Sequence, residues 1–372
     1  MKTKVLLFVD RMRHGGIQQF LVENIKHMDQ KKLQIDVLTL DDGQTYPLEE
    51  TIKNLGCNFY KLKGVWINKP SDYLTYAKSI NQFFKEHNDY KVVHMNASSK
   101  NFLLLRYAKK YHVPIRIAHS HNIDFQTTNE WKKLAGDLLK IPMKLYATDY
   151  FACSLLAGRW LFGDKNVDKG RVRVIRNAVD YQKFQYNEEV RKKIRKEFNV
   201  KTKELLIGHV GRFTEQKNHT FLIDIFDEIH KQNKDTKLLL VGIGEKEQEI
   251  KNKVMDLGLE RNVIFAGFCP NANEMMQAMD VFLLPSLYEG LPVVGVEAQA
   301  AGLPTFTSKD VVTSEVKITN ALKFISLEKS PSTWAKEILN SDLSRKDTKK
   351  ELKKAGYFIE DTAKELTNIY LR

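Results

Sequence analysis

Short apolar runs alternate with amphipathic stretches along nearly the whole chain. "KVLLFVD" (4–10) is a continuous apolar run ending at a turn, the pattern of a strand buried on both faces. In "GIQQFLVENIKHM", which follows, Ile17, Phe20, Leu21, Ile25 and Met28 share one helical face. The same reading predicts strands at 34–40, 91–96, 114–121, "YFACS" and "VRVIRN", with helices over 71–87 and "FLLLRYAKKY". A charged stretch, "NEEVRKKIRKEFNV" (187–200), reads as a linker helix at a domain boundary, and then the rhythm restarts. Strands are predicted at "LLIGHVGRF" (205–213), 237–242, 262–268, 281–286 and 304–308, with helices between them. Two successive runs of this kind predict two doubly wound, parallel α/β domains, 1–186 and 187–355. In such sheets ligands bind beyond the carboxyl ends of the strands, so the loops there, and a cleft between the domains, are the expected site.

The length, 372 residues, supports two domains, because a single core stops growing near ~250–300 residues. Apolar residues are 42% and charged residues 28%, which excludes disordered and fibrous classes. No apolar run reaches the ~18 residues of a membrane span. Met1 to Asp10 lacks the long apolar stretch and cleavage site of a signal peptide. Cys57, Cys153 and Cys269 are too scattered for a disulfide framework or a metal site, so a reducing cytoplasm is expected. The net charge of +13 is uneven: residues 1–190 hold 30 Lys+Arg against 20 Asp+Glu. That excess suits an anionic partner or a surface tuned for solubility.

Four constellations carry chemistry. Gly15-Gly16, between the first strand and helix, lets the backbone approach a ligand and offers helix N–H groups to an anion. Its spacing is not the dinucleotide fingerprint, which disfavours an oxidoreductase. In "VGRFTEQKN" (210–218), Arg212 and Lys217 follow a strand and precede a helix, where two cations can hold a diphosphate. In "LYEGLPVVGVEAQAAGLP" (287–304), Glu289 precedes a helix and Glu297 lies inside it in an apolar run, where it needs a polar partner such as a ribose. The N–H groups of Gly290 and Leu291 are free for further oxygen acceptors. In "AHSHN" (118–122), His119 and His121 share one face of a strand; no third metal ligand stands at suitable spacing, so a hydrogen bond to substrate or a core role is expected.

Together these residues resemble the retaining glycosyltransferases of the GT-B fold, family 4, which build capsule, exopolysaccharide and lipid-linked glycans in bacteria. The resemblance spans nearly the whole chain and is strongest over 205–304, where "GRFTEQKN", "LLLVGIGE", "VIFAGF" and the Glu289-x7-Glu297 segment keep the family's order. "HGGIQQ" is similar to the family's glycine-rich loop and "VIRNAVD" (174–180) to its interdomain segment. The resemblance implies that Arg212 and Lys217 bind the donor diphosphate, Glu297 the ribose, and Glu289 with the following backbone the transferred sugar. Gly242 and Gly244 would let the backbone pass near the nucleotide, the main chain at Phe268 would meet the base, and Gly16 would lie near phosphates or acceptor. His121 is taken as the active-site histidine, with His119 as the alternative. A final helix, about 356–371, would cross back onto the first domain. Two departures stand out: Ala178 after Asn177 where the family has Gly, and Asn218 where many relatives have Gly.

The implied reaction uses a nucleotide-diphosphate sugar, UDP by family habit, without a metal ion or other cofactor, and closure between the domains would exclude water. The implied acceptor is a glycan or a polyprenyl pyrophosphate, met at the inner face of the plasma membrane. "WKKLAGDLLKIPMK" (131–144) sets Trp131, Leu134, Leu138, Leu139, Ile141 and Met143 among Lys132, Lys133, Lys140 and Lys144, a pattern of an interfacial helix broken near Pro142, or of a core helix with a basic face. Alternatives are a non-catalytic GT-B partner subunit and a nucleotide-sugar epimerase on the same fold. A nucleic-acid binder fits the charge but lacks a recognition motif.

Overall fold

A computed structural model describes residues 2–13, 15–62, 71–123, 129–309 and 311–372, apart from the Lys132 side chain. His14 of the "HGGIQQ" segment lies outside the described residues. The chain forms two units, Met1–Ala178 with Ile359–Arg372, and Val179–Phe358.

The first unit holds a seven-stranded parallel sheet of β1 (Thr3–Phe8), β2 (Leu33–Leu40), β3 (Asn58–Leu62), β4 (Val92–Met95), β5 (Ile115–Ser120), β6 (Asp149–Ala152) and β7 (Val172–Val174), in the order β3-β2-β1-β4-β5-β6-β7. Alternation along β1 feeds two layers. Val5 and Leu7 enter one core with Phe20, Leu21 and Ile25 of the helix Gly16–His27, while Leu6 and Phe8 enter the other with Tyr76, Ile80 and Phe84. The final helix, Ile359–Tyr370, buries Ala363, Leu366, Ile369 and Tyr370 in the first of these cores. The C-terminus therefore belongs to the first unit, as the resemblance implied.

The second unit repeats the plan with β8 (Leu205–Val210), β9 (Thr236–Val241), β10 (Val263–Gly267), β11 (Val281–Leu284), β12 (Thr305–Ser308) and β13 (Leu322–Ile325), in the parallel order β10-β9-β8-β11-β12-β13. Phe282 and Leu284 of β11 pack on one face, Val281 and Leu283 on the other. Both units are thus Rossmann-like, the α/β architecture of GT-B proteins.

Several expectations are corrected. The division falls after Ala178, not after 186. The stretch at 187–200 is not a free linker: its helix, Glu188–Glu197, is tied into the second unit where Arg191 and Arg195 meet Asp280 at 2.6 and 3.2 Å and donate to the carbonyls of Ala278 and Met279. The helix Glu130–Tyr146 runs through Pro142 without a break. The carbonyl that Pro142 leaves unbonded belongs to Leu138, on the exposed side of the helix, where water can satisfy it.

Candidate functional site

In each sheet the strand order reverses once, between β1 and β4 in the first unit and between β8 and β11 in the second. The loops flanking such a point diverge and leave a crevice at the carboxyl ends. Arg212 and Lys217 follow β8, and Glu289 and Glu297 follow β11, so the residues marked by the sequence converge at the reversal of the second sheet.

The two loops are stitched together. Lys217 Nζ lies 2.5 Å from Glu289 Oε1, with both side chains largely buried. Ser286 Oγ donates to the same oxygen at 2.9 Å, and Gln216 Nε2 to Glu289 Oε2 at 3.3 Å and to the Tyr288 carbonyl at 3.0 Å. Leu287 N–H donates to the Gln216 carbonyl at 2.9 Å. Asn218 takes the left-handed conformation, φ 54°, and its amide donates to the Pro285 carbonyl at 3.1 Å. Asparagine tolerates that conformation better than other non-glycine residues, which reconciles Asn218 with the glycine of relatives. The cation expected to hold the diphosphate is therefore paired with the acid expected to hold the sugar.

Arg212 is exposed, and no carboxylate among the described residues pairs with it. The N–H groups of Gly290 and Leu291 likewise find no acceptor among the described residues, while the Leu291 side chain is buried in the core. Pro292 is the N-cap of the helix Val293–Ala300, and Glu297 is half-buried within that helix. The loops thus combine an exposed guanidinium, an ammonium and unbonded N–H groups, all suited to anionic oxygens.

Gly242 has φ 143°, and a Cβ there would come 2.0 Å from the Gly211 carbonyl oxygen; at Gly244 it would come 2.4 Å from that of Phe213. Both glycines are required by the close passage of the 211–213 loop, whatever ligand binds nearby. Phe268 is 47% exposed beyond β10. Beneath the Lys217 loop, burial and the neighbouring Lys217 charge bring the His219 imidazole down to about 4.

In the first unit, Gly16 opens its helix with Gly15 as an extended N-cap and no side-chain cap, leaving N–H groups at the carboxyl end of β1. Asn177 is buried with its Oδ1 unpartnered among the described residues, and Asp180 caps the short helix Tyr181–Phe184 through the N–H groups of Gln182 and Lys183. His119 and His121, at the end of β5, join a row that the sequence did not reveal. His121 Nε2 lies 2.9 Å from Asn96 Oδ1, and the ring centres of His119 and His121 are 4.0 Å apart. His119 Nδ1 lies 3.0 Å from His94 Nε2, and His94 Nδ1 lies 2.6 Å from the hydroxyl of Tyr370 in the final helix. Desolvation lowers all three imidazoles, His94 and His121 to about 3, so the row is neutral at physiological pH. His94, Asn96 and Tyr370 were not legible beforehand, since only the parallel pairing of β4 with β5 and the packing of the last helix bring them to β5.

Comparison with known proteins agrees with this fold. Residues 190–357 match the family described as glycosyl transferases group 1, and residues 14–183 match Glycosyltransferase Family 4. EpsF of Bacillus subtilis (strain 168), named as a glycosyltransferase, is 32% identical over 376 residues, covering 99% of this chain and 96% of EpsF. An Escherichia coli enzyme named UDP-Gal:alpha-D-GlcNAc-diphosphoundecaprenol alpha-1,3-galactosyltransferase is 28% identical over 226 residues, 59% of this chain and 58% of that protein. The crystal structure of Anabaena HepE in complex with UDP and glucose superposes with a TM-score of 0.73 at 17% identity, covering 99% of this chain and 95% of HepE. The class that fold and site define is a GT-B glycosyltransferase. Within it, the chain belongs to the family 4 glycosyltransferases of bacterial type.

Proposed function

We propose that the protein is a retaining transferase of a hexosyl or N-acetylhexosaminyl group. It takes the sugar from a nucleotide-diphosphate sugar, with UDP as the nucleotide, and delivers it to a glycan or polyprenyl-pyrophosphate-linked acceptor during cell-surface polysaccharide synthesis. The observation that carries the reading is the convergence of Arg212, Lys217, Glu289 and Glu297 where the second sheet reverses. UDP is favoured by the HepE complex, and the lipid-linked acceptor by the name of the Escherichia coli relative.

In this reading the second unit binds the donor and the first receives the acceptor. The bond between sugar and phosphate loosens toward an oxocarbenium-like state. Arg212 and Lys217 neutralise the departing diphosphate and take the part a metal ion has at other transfer sites. Glu297 hydrogen-bonds the ribose, and Glu289 with the N–H groups of Gly290 and Leu291 orients the sugar. The leaving phosphate accepts the acceptor's proton, and no protein nucleophile is assigned. The test is transfer from UDP-sugars to lipid-linked acceptors, with NMR assignment of the anomeric configuration. An α-linked product from an α-UDP-sugar, formed equally in EDTA, is expected; an inverted product or loss of turnover in EDTA would overturn the mechanism. Free nucleotide with sugar isomerised in the absence of acceptor would favour the epimerase instead.

An anionic membrane surface, the inner face of the plasma membrane, completes the reading. No helix among the described residues is long and apolar enough to cross a membrane. On the helix Glu130–Tyr146, however, Trp131 is 80% exposed and Leu134, Leu138, Ile141 and Leu145 are 53–67% exposed, all on one face. Leu155 and Leu156 of the helix Leu155–Phe162 add further exposed apolar area. Met143 turns instead into the core, Leu139 is half-buried, and Lys140 is buried, donating to the Trp160 carbonyl at 2.8 Å with its ammonium 4.1 Å from the Trp160 ring centre. Residues 100–176 carry 15 Lys+Arg against 6 Asp+Glu, so the basic excess shares a segment with the apolar face. Such a patch with cations around it fits an acidic lipid surface. Co-sedimentation with acidic vesicles that weakens with salt and is lost in Trp131→Ser/Leu138→Ser is expected. Equal binding to neutral vesicles, or none to either, would count against it.

A further inference from the structure

The Tyr370–His94–His119 chain has a direction. Tyr370 is 1% exposed, so its hydroxyl proton needs a protein acceptor, and among the described residues His94 Nδ1, at 2.6 Å, is the one it meets. His94 Nδ1 is then a lone pair and its proton lies on Nε2. That N–H points at His119 Nδ1, 3.0 Å away, which must accept. The proton of neutral His119 is thereby placed on Nε2.

His121 is set independently. The amide nitrogen of Asn96 donates to the His94 carbonyl at 3.4 Å, which turns Asn96 Oδ1 toward His121 Nε2. An amide oxygen only accepts, so His121 carries its proton on Nε2 and a lone pair on Nδ1. Two buried atoms remain without a partner among the described residues: the His119 Nε2–H donor and the His121 Nδ1 acceptor. They belong to rings whose centres are 4.0 Å apart, and neither atom is reached by solvent.

We propose that Tyr370 is a positioning residue for this row: through His94 it fixes His119 as an Nε2–H donor beside the His121 Nδ1 acceptor. The tautomers do not depend on the transferase reading above.

The experiment is long-range nitrogen–proton NMR on protein labelled with 15N-histidine, at pH 7. In the wild type all three rings are expected as neutral Nε2–H tautomers. In Tyr370→Phe, His94 and His119 shift toward Nδ1–H while His121 keeps its tautomer, because Asn96 still holds it. A merely structural role for Tyr370 would lower the melting temperature without moving any tautomer. His119 found as Nδ1–H in the wild type, or unmoved by Tyr370→Phe, overturns the proposal whatever the enzyme's activity.

Discussion

Replacing Lys217 by Met removes the counter-charge of Glu289 while keeping most of the side-chain volume. In the folded protein the Glu289 side chain is 8% exposed and that of Lys217 16%, with 2.5 Å between Nζ and Oε1. Removing one partner of a fully buried pair costs about 3–5 kcal/mol. Here Ser286 and Gln216 still donate to Glu289, and Lys217 has some access to water. The loss should therefore be smaller, about 2–3 kcal/mol, equivalent to a fall of roughly 5–10 °C for a unit of this size. Lys217→Met/Glu289→Gln leaves no buried charge uncompensated and should recover most of that loss. Urea unfolding of the four proteins closes the cycle. Both Lys217 variants should bind UDP at least about tenfold more weakly, since a charge-assisted phosphate contact is lost in each. Stability of Lys217→Met within about 0.5 kcal/mol of wild type, the scale of a solvated surface pair, would refute the buried-pair argument. A double variant less stable than Lys217→Met would refute it as well.

Burial, as the main cause, holds His94 and His121 neutral down to about 3 and His219 to about 4, whereas an unfolded histidine titrates near ~6.5. The unfolded chain binds more protons across that interval, so stability is complete above pH ~6.5 and falls as pH drops toward 4, by at most about 1.4 kcal/mol per pH unit for each histidine. Urea midpoints at pH 7.5, 6 and 5 check this, and a flat profile would contradict it; the slope should be shallower in His219→Gln. Asn218→Ala puts a residue that tolerates the left-handed region less well than asparagine at φ 54° and removes the bond to Pro285, for an expected cost of about 2–3 kcal/mol. Asn218→Gly should cost less than the Ala variant in the same melts, and the reverse order would remove the backbone argument.

The central strands were legible because the runs at 5–9, 238–241 and 281–284 are apolar at every position, as burial on both faces demands. The strands missed, β3 and β13, are both sheet edges. "NFYKL" and "LKFI" keep polar residues where the edge meets water, which shortens the apolar signal. The helix at 130–146 was read as broken because Pro142 is costly inside a helix in general; on the exposed side that cost falls. Arg212, Lys217, Glu289 and Glu297 could be marked from local spacing and resemblance. The pairing of Lys217 with Glu289 could not, because it depends on β8 lying beside β11 across 72 residues. The histidine row was half-visible for the same reason: His119 and His121 alternate on one strand, whereas His94 and Tyr370 arrive by tertiary packing.

The central claim is that the loops after β8 and β11 bind a nucleotide-diphosphate sugar. Its most direct test is a thermal-shift and calorimetric titration of wild type and Glu297→Ala with UDP, GDP, ADP and their common sugar conjugates. A ligand at a hundredfold its dissociation constant stabilises the native state by about 2.7 kcal/mol, a readily measured shift. The account predicts selective stabilisation by uridine nucleotides that disappears in Glu297→Ala. No response to any nucleotide, or an equal response in Glu297→Ala, would contradict the donor site and favour a non-catalytic partner subunit.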